Sequence, residues 1–121
     1  MVRILVCDDY PGILLLLNDM LNTMGLESAC ASDGQQALTM VEDLHPDLVI
    51  SDIDMPGMTG IQLVKTLRQD YQLAEVPCVL LSSVDREQEA LTAGCACFLS
   101  KPFTVSALRQ AVRTSLGSRE R

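Results

Sequence analysis

The chain of 121 residues has no tryptophan, a single histidine and only 3% aromatic residues. So few rings leave little surface on which nucleic-acid bases could stack. Basic residues are scarce as well, because nine lysines and arginines stand against sixteen acidic residues and the formal net charge is −7. Phosphate contacts need a basic face, so this composition argues against nucleic-acid binding by this segment. Apolar residues still make up 48% of the sequence, enough to form the core of one domain.

Long hydrophobic runs are absent too. The longest, from Ile13 to Leu17, falls far short of the roughly 18 apolar residues of a transmembrane helix. The N-terminal region carries Arg3, a strand-like run and then two aspartates, which is not the pattern of a secretory signal. We therefore expect a cytoplasmic protein with no membrane partner.

The five cysteines are odd in number and form no Cys-x-x-Cys pair, so the sequence predicts neither a disulfide framework nor a zinc site. Four of them lie in apolar strand-like runs, and we interpret the cysteines as small core residues in a reducing cytosol. Cys95 and Cys97 are the one pair that could support redox or metal chemistry. His45, next to Pro46, is interpreted as a solvated loop residue, because no nucleophile or second ligand is spaced around it.

Five apolar runs alternate with five helical patterns along the chain. Buried parallel strands read as continuous apolar runs, and amphipathic helices cover both faces of such a sheet. Five units are too few for a barrel, which takes about eight, so we expect an open, doubly wound α/β sheet. The predicted strands are 3–7, 26–31, 48–51, 77–82 and 96–99. The predicted helices are 11–24, about 35–44, 61–71, 85–93 and 104–116. The residues expected to face the core are Ile13, Leu17, Met20 and Met24 on the first helix, flanked by Leu16 and Leu21, and Val105, Leu108, Val112 and Leu116 on the last.

Polar side chains follow four of the predicted strands, at the edge where ligands bind in sheets of this kind. Several carboxylates meeting there would repel each other unless a cation such as Mg²⁺, which prefers oxygen ligands, lies between them. A lysine for a phosphate oxygen and a hydroxyl donor complete a set suited to phosphoryl transfer, in which an aspartate can be the nucleophile. These residues are Asp8, Asp9, Asp52, Asp54, Ser82, Ser83, Ser100 and Lys101.

Most of these residues belong to longer motifs. The first motif is Asp8-Asp9, and the second is the run Asp52-Ile53-Asp54-Met55-Pro56 with Gly60 after it. Ser82, then Phe98, and finally Lys101-Pro102-Phe103 follow along the chain. In combination they resemble the receiver domain of two-component response regulators, over Arg3 to about Leu116. The resemblance implies a flavodoxin-like (βα)5 fold of three layers, with an open parallel sheet of order 2-1-3-4-5. Residues 1–121 would then be a single receiver domain with a core at about 3–116, and 117–121 would be a tail or the start of a linker.

The resemblance also implies the chemistry of the site. Asp52 would accept a phosphoryl group from the phosphohistidine of a sensor histidine kinase or a histidine phosphotransfer protein. Mg²⁺ would be bound directly by Asp9 and Asp52, through water by Asp8, and by the backbone carbonyl of Asp54. Lys101 would pair with the phosphate. Beyond its own phosphorylation and dephosphorylation, such a domain is not expected to act as an enzyme.

Ser82 and Phe98 would form the switch in this family. Ser82 would move to hydrogen-bond the phosphate and Phe98 would swing inward behind it. The commoner residue at the first position is threonine, but serine keeps the hydroxyl donor. We also expect a cis bond before Pro102, which only an X-Pro bond makes inexpensive. The lifetime of the aspartyl phosphate would be tuned two positions past Asp52 and Ser82, at Asp54 and Val84.

Partner surfaces are predicted from features outside the site. Leu15 points nearly opposite the core face of the first helix and Leu14 lies at its edge, in a helix that meets kinases and phosphotransfer domains in this family. Many DNA-binding relatives carry acidic residues, used for dimerisation, where this chain has Cys95-Ala96-Cys97. That difference argues against such a dimer. Because the chain stops soon after the last helix, we expect output through a downstream protein target or an effector domain that is missing here.

Two alternatives remain open at this point. A haloacid-dehalogenase-type phosphatase also uses an aspartate nucleophile with Mg²⁺, and Asp52-Ile53-Asp54 matches its Asp-x-Asp motif. That motif normally follows the first strand, however, and such enzymes need a longer chain. The other alternative is a degenerate receiver that binds partners without phosphorylation. The complete set of Asp8, Asp9, Asp52 and Lys101 argues against it.

Overall fold

The computed structural model describes residues 2–117. Five strands and five helices alternate along this part of the chain, and the strands form one parallel sheet of order β2-β1-β3-β4-β5. The expected α/β architecture and its strand order 2-1-3-4-5 are confirmed. The elements are β1 (Arg3–Cys7), α1 (Pro11–Thr23), β2 (Glu27–Ala31), α2 (Gly34–Leu44), β3 (Leu48–Asp52), α3 (Gly60–Gln69), β4 (Cys78–Ser82), α4 (Glu87–Ala93), β5 (Cys97–Ser100) and α5 (Val105–Leu116).

Two hydrophobic cores lie on opposite faces of the sheet. Successive strand residues point to opposite faces, so Leu5 and Cys7 of β1 belong to one core while Ile4 and Val6 belong to the other. The first core is closed by α2, α3 and α4, and the second by α1 and α5. All four of these β1 side chains have no exposed surface. The sheet is therefore covered on both faces, as the continuous apolar strands predict.

The structure corrects two assignments of helix faces. On α1, Leu21 is fully buried beside Leu17, whereas Leu16 is 43% exposed, so the core-facing side is centred on Leu17 and Leu21. On α5, Val105 is 39% exposed, and the expectation that it faces inward is wrong. Val105 is the first residue of α5, one turn before Leu108, which is the first α5 residue to reach the core.

The cysteines are all unpaired, but they are not all core residues. Cys7, Cys78 and Cys95 are buried, and burial raises the pKa of Cys7 to about 12. Cys97 is half-buried, whereas Cys30 is exposed because β2 is the edge strand of the sheet. The interpretation of Cys30 as a core residue is therefore wrong.

Two remaining sequence expectations concern the chain ends and the membrane. Among residues 2–117, no helix combines the length and the apolar character that crossing a bilayer requires. The expected tail at 117–121 is described only at Gly117, and 118–121 lie outside the described residues.

Candidate functional site

Four of the predicted site residues lie where neighbouring strands end. Asp52 and Ser82 are the last residues of β3 and β4, while Asp8 directly follows β1 and Lys101 directly follows β5. Because these strands are parallel neighbours, their carboxyl ends share one edge of the sheet and the four side chains converge there. Asp8, Asp52 and Ser82 are buried, and Lys101 exposes 20% of its side chain.

The loop after β3 turns back tightly on the strand it leaves. The carbonyl of Ile53 accepts hydrogen bonds from the backbone N–H groups of Met55 at 3.2 Å and Gly60 at 2.9 Å. Helix α3 then begins with a capping box, in which the Thr59 hydroxyl accepts from the Gln62 N–H and the Gln62 side chain accepts from the Thr59 N–H. The two turns hold this loop, including Asp54, at the rim of the site.

Three carboxylates lie together at this rim. One carboxylate oxygen each from Asp8, Asp9 and Asp52 falls within 4.8 Å of the other two. Asp9 is exposed and does not cap α1, because the cap position is Tyr10, whose N–H donates to Asp8 Oδ1 at 2.9 Å. Hard oxygen donors at this spacing fit Mg²⁺, which typically uses one or two protein carboxylates and keeps several waters.

Lys101 balances part of this negative charge. Its Nζ lies 2.7 Å from Asp52 Oδ1 and 3.2 Å from Asp8 Oδ2. Burial alone would lower the pKa of Lys101, but the two carboxylates outweigh it and hold the pKa above its usual value. The pKa of Asp52 is also raised, first because the carboxyl group is buried, with Lys101 opposing the shift and Asp8 adding to it. A single lysine therefore faces a cluster with a surplus of negative charge.

Ser82 is engaged by groups other than Asp52. Its hydroxyl donates to Asp54 Oδ2 at 3.2 Å and accepts from the Val84 N–H at 3.1 Å. The other oxygen of Asp54 is held by Arg86, whose Nη1 lies 2.7 Å away. Arg86 is not among the site residues predicted from the sequence. Its one signal is that an arginine follows Ser82 by four residues in a loop that borders the site.

The remaining predicted residues surround this centre. Phe98 is half-buried, pairs in register with Leu80 of β4 and packs against the core formed with α2, α3 and α4. Val84 is 62% exposed. The Lys101–Pro102 bond is cis, as expected.

A comparison with known proteins decides the family. The model of the response regulator receiver domain matches residues 4–113. The chain belongs to this family. It is 35% identical over 115 residues to sporulation initiation phosphotransferase F of Bacillus subtilis, covering 94% of this chain and 93% of the relative. It is 38% identical to the DNA-binding response regulator MtrA of Mycolicibacterium smegmatis over 98% of this chain but 52% of the relative, so it spans about half the length of that protein.

Solved structures give the same result. The receiver domain of a sensor histidine kinase from Pseudomonas aeruginosa, solved with a magnesium ion in its active-site cleft, superposes with a TM-score of 0.87 and 25% identity, covering 96% of this chain and 98% of that one. The protein is thus a receiver domain of two-component systems, a class of signalling modules in which phosphorylation on aspartate is typical. Receiver domains bind Mg²⁺ in an acidic pocket and interact with histidine kinases or phosphotransfer proteins. Family membership removes the haloacid-dehalogenase alternative.

Proposed function

We propose that this single domain, with its core at about 3–116, accepts a phosphoryl group on Asp52. The observation that carries the proposal is the contact at 2.7 Å between Asp52 and Lys101, inside the cluster of three carboxylates. Asp8, Asp9, Asp52 and the backbone carbonyl of Asp54 would hold Mg²⁺. When bound, the ion supplies positive charge for the oxygens of the phosphoryl group.

In the transfer, a carboxylate oxygen of Asp52 attacks phosphorus while the bond from phosphorus to the donor's histidine nitrogen breaks. Lys101 is already at the carboxylate and pairs with an oxygen of the incoming group as a point charge. Ser82 then turns its hydroxyl toward the phosphoryl group. Phe98, half-buried at the neighbouring strand, follows it inward, and the partner surface over β4 and β5 changes.

The test is phosphorylation by acetyl phosphate with Mg²⁺, followed by intact mass. We expect one phosphoryl group on the wild type, none on Asp52→Asn and none when the metal is chelated. The matched control is Asp43→Asn, an exposed aspartate on α2, which should be labelled like the wild type. Labelling that persists on Asp52→Asn, or an unlabelled wild type, would contradict the proposal, and the second result would favour a degenerate receiver. We also expect acetyl phosphate consumption to cease when the chelator is added, because the transfer to Asp52 needs Mg²⁺.

A protein donor would dock beside Lys101, on the start of α1. Leu15 is 67% exposed there, while Leu14 is half-buried against the α1–α5 core. On the same helix, Ile13 and Leu16 line an apolar groove of about 300 Å³ that opens beside Lys101. Its lining residues are Ile13, Leu16, Ser83, Lys101, Pro102 and Phe103. A histidine kinase or phosphotransfer domain covering this groove would bring its phosphohistidine to Asp52.

The docking surface is tested by comparing phosphorylation by a protein donor with phosphorylation by acetyl phosphate. Leu15→Ser should slow phosphorylation by a phosphorylated histidine phosphotransfer protein and leave phosphorylation by acetyl phosphate unchanged, because only the protein donor needs the apolar contact. Leu91→Ser, which changes a leucine 43% exposed on α4, is the matched control and should behave as wild type with both donors. Equal rates for the Leu15 variant and wild type with the protein donor would remove α1 from the docking surface.

A further inference from the structure

The carboxylate of Asp54 is held on both of its oxygens. Oδ2 accepts the Ser82 hydroxyl at 3.2 Å and Oδ1 lies 2.7 Å from Arg86 Nη1. Arg86 is fixed in turn by Glu89, through Nε to Oε2 at 3.2 Å and Nη2 to Oε1 at 3.0 Å. An unbroken chain of contacts therefore runs from the start of α4, across the β4–α4 loop, to the buried end of β4.

This chain of contacts conflicts with the role proposed for Ser82. A serine hydroxyl has one hydrogen to donate, and here it is donated to Asp54. A phosphoryl group on Asp52 can receive that hydrogen only after the bond to Asp54 breaks. The arrangement seen here is thus the one that phosphorylation must undo.

We infer that Arg86 is a positioning residue for phosphorylation, which fixes Asp54 so that Asp54 holds the Ser82 hydroxyl away from Asp52. The three residues Ser82, Asp54 and Arg86 are called the latch below. The inference rests on the proposed function, because it concerns the release of Ser82 toward a phosphoryl group on Asp52. When the latch opens, Arg86 loses its contact with Asp54, and the first turn of α4, which Arg86 contacts through Glu89, is no longer tied to the site. Phosphorylation would in this way be coupled to the β4–α4 loop.

Arg86 is suited to this task by its geometry. The guanidinium group presents donors in a planar fork, so Nε and Nη2 donate together to Glu89 while Nη1 donates to Asp54. Its side chain is 28% exposed, whereas that of Asp54 is 56% exposed and needs a partner to stay in one position. Pairs at such exposure are weak, so we expect the latch to change the affinity for a phosphoryl mimic by about two- to fivefold.

The experiment measures the affinity for beryllofluoride, a tetrahedral mimic of the phosphoryl group, with Mg²⁺ by fluorine NMR titration. The proteins are the wild type, Arg86→Ala, Ser82→Ala and the double variant. Loss of the Arg86 charge weakens anion binding equally in both backgrounds, but release of the latch strengthens binding only when Ser82 is present. For each background we divide the Kd of the protein with Arg86→Ala by the Kd of the protein that keeps Arg86. This ratio should be about two- to fivefold smaller when Ser82 is present than when it is replaced by alanine.

Two further variants serve as a charge control and as a conservative replacement. Arg109→Ala removes the same charge from α5, where Arg109 makes no hydrogen bond or ion pair within residues 2–117, and its Kd ratio should be equal in both backgrounds. Arg86→Lys keeps a cation for Asp54 and should restore most of the coupling to Ser82. Equal Kd ratios for Arg86→Ala in the two backgrounds, in proteins that melt like the wild type, would overturn the latch alone. A wild type that binds no beryllofluoride would overturn the proposed function and the latch with it.

Discussion

Val84 lies at the outer side of the site with a side chain that cannot bind water. It is 62% exposed, and its only polar contact there is the donation of its N–H to the Ser82 hydroxyl within the described residues. Hydrolysis of an aspartyl phosphate needs a water in line with phosphorus, opposite the Asp52 oxygen. Asp54 could accept a hydrogen bond from such a water once Ser82 has left Oδ2, but its carboxylate also brings negative charge beside the phosphoryl group. We therefore propose that this receiver loses its phosphoryl group slowly.

The substitution Val84→Glu tests this proposal. A carboxylate at this position would orient the attacking water, so the phosphorylated variant should decay faster than the wild type. The decay is followed by intact mass after the phosphoryl donor has been removed. Val84→Leu adds similar bulk without an acceptor and should decay no faster than the wild type. A Val84→Glu rate equal to or below that of the wild type would show that water positioning does not limit hydrolysis here.

At the scale of elements, α3 depends on a glycine where it approaches the end of β3. A β-carbon at Gly60 would collide with the backbone carbonyl oxygen of Asp52 and approach the Cα of Ile53 to 3.0 Å. Both neighbours are backbone at the end of β3, so neither can move without shifting the site. The close approach of α3 to β3 therefore requires the absence of a side chain at this position.

Gly60→Ala should destabilise the fold by about 1–3 kcal/mol, the usual range for forcing extra volume into a packed position. Alanine is otherwise the better helix residue, so a loss of stability would come from the collision and not from helix propensity. The free energy of unfolding is measured by urea denaturation. Gln69→Ala, at the exposed end of α3, is the control and should change stability by less than about 0.5 kcal/mol. Unchanged stability of Gly60→Ala would mean that the loop adapts.

The order of elements and the position of the site were predictable from sequence because both follow from local patterns. Apolar runs such as Leu48, Val49 and Ile50 of β3 mark buried parallel strands, and the polar residue that ends the strand, here Asp52, lies at the ligand-binding edge. Helix ends were less well predicted. Helix α3 ends at Gln69, two residues earlier than expected, since apolar spacing does not fix where the last turn unwinds.

The latch was not predictable from the same patterns. Arg86 contacts Asp54 across 32 positions of the chain, through a loop whose path depends on the packing of α4. In sequence, Arg86 resembles any arginine at an exposed helix start, where no periodicity distinguishes it. Val105 shows the complementary error, because helical spacing assigned it to the core although it lies in the first turn of α5.

At the scale of the whole molecule, the fold gathers like charges that would otherwise stay apart. Asp8, Asp9 and Asp52 bring three carboxylate oxygens within 4.8 Å of one another, in a chain whose net charge is already −7. Lys101 pairs with Asp8 and Asp52, whereas Asp9 has no hydrogen bond or ion pair within residues 2–117. The repulsion that remains opposes the folded state, and a bound cation would relieve it.

Mg²⁺ should therefore raise the stability of the fold by RT ln(1 + [Mg²⁺]/Kd), about 2.7 kcal/mol at a hundredfold excess over Kd, because the unfolded chain does not bring the carboxylates together. Asp9→Ala is the decisive variant. It removes a proposed ligand that is exposed and otherwise unpartnered among residues 2–117, so without Mg²⁺ the variant should melt at or above the wild-type temperature. With Mg²⁺ it should lose most of the increase in Tm that the wild type shows. Asp43→Ala on α2 is the control and should keep the whole increase. The same increase in Asp9→Ala as in the wild type would locate the stabilising ion away from Asp9.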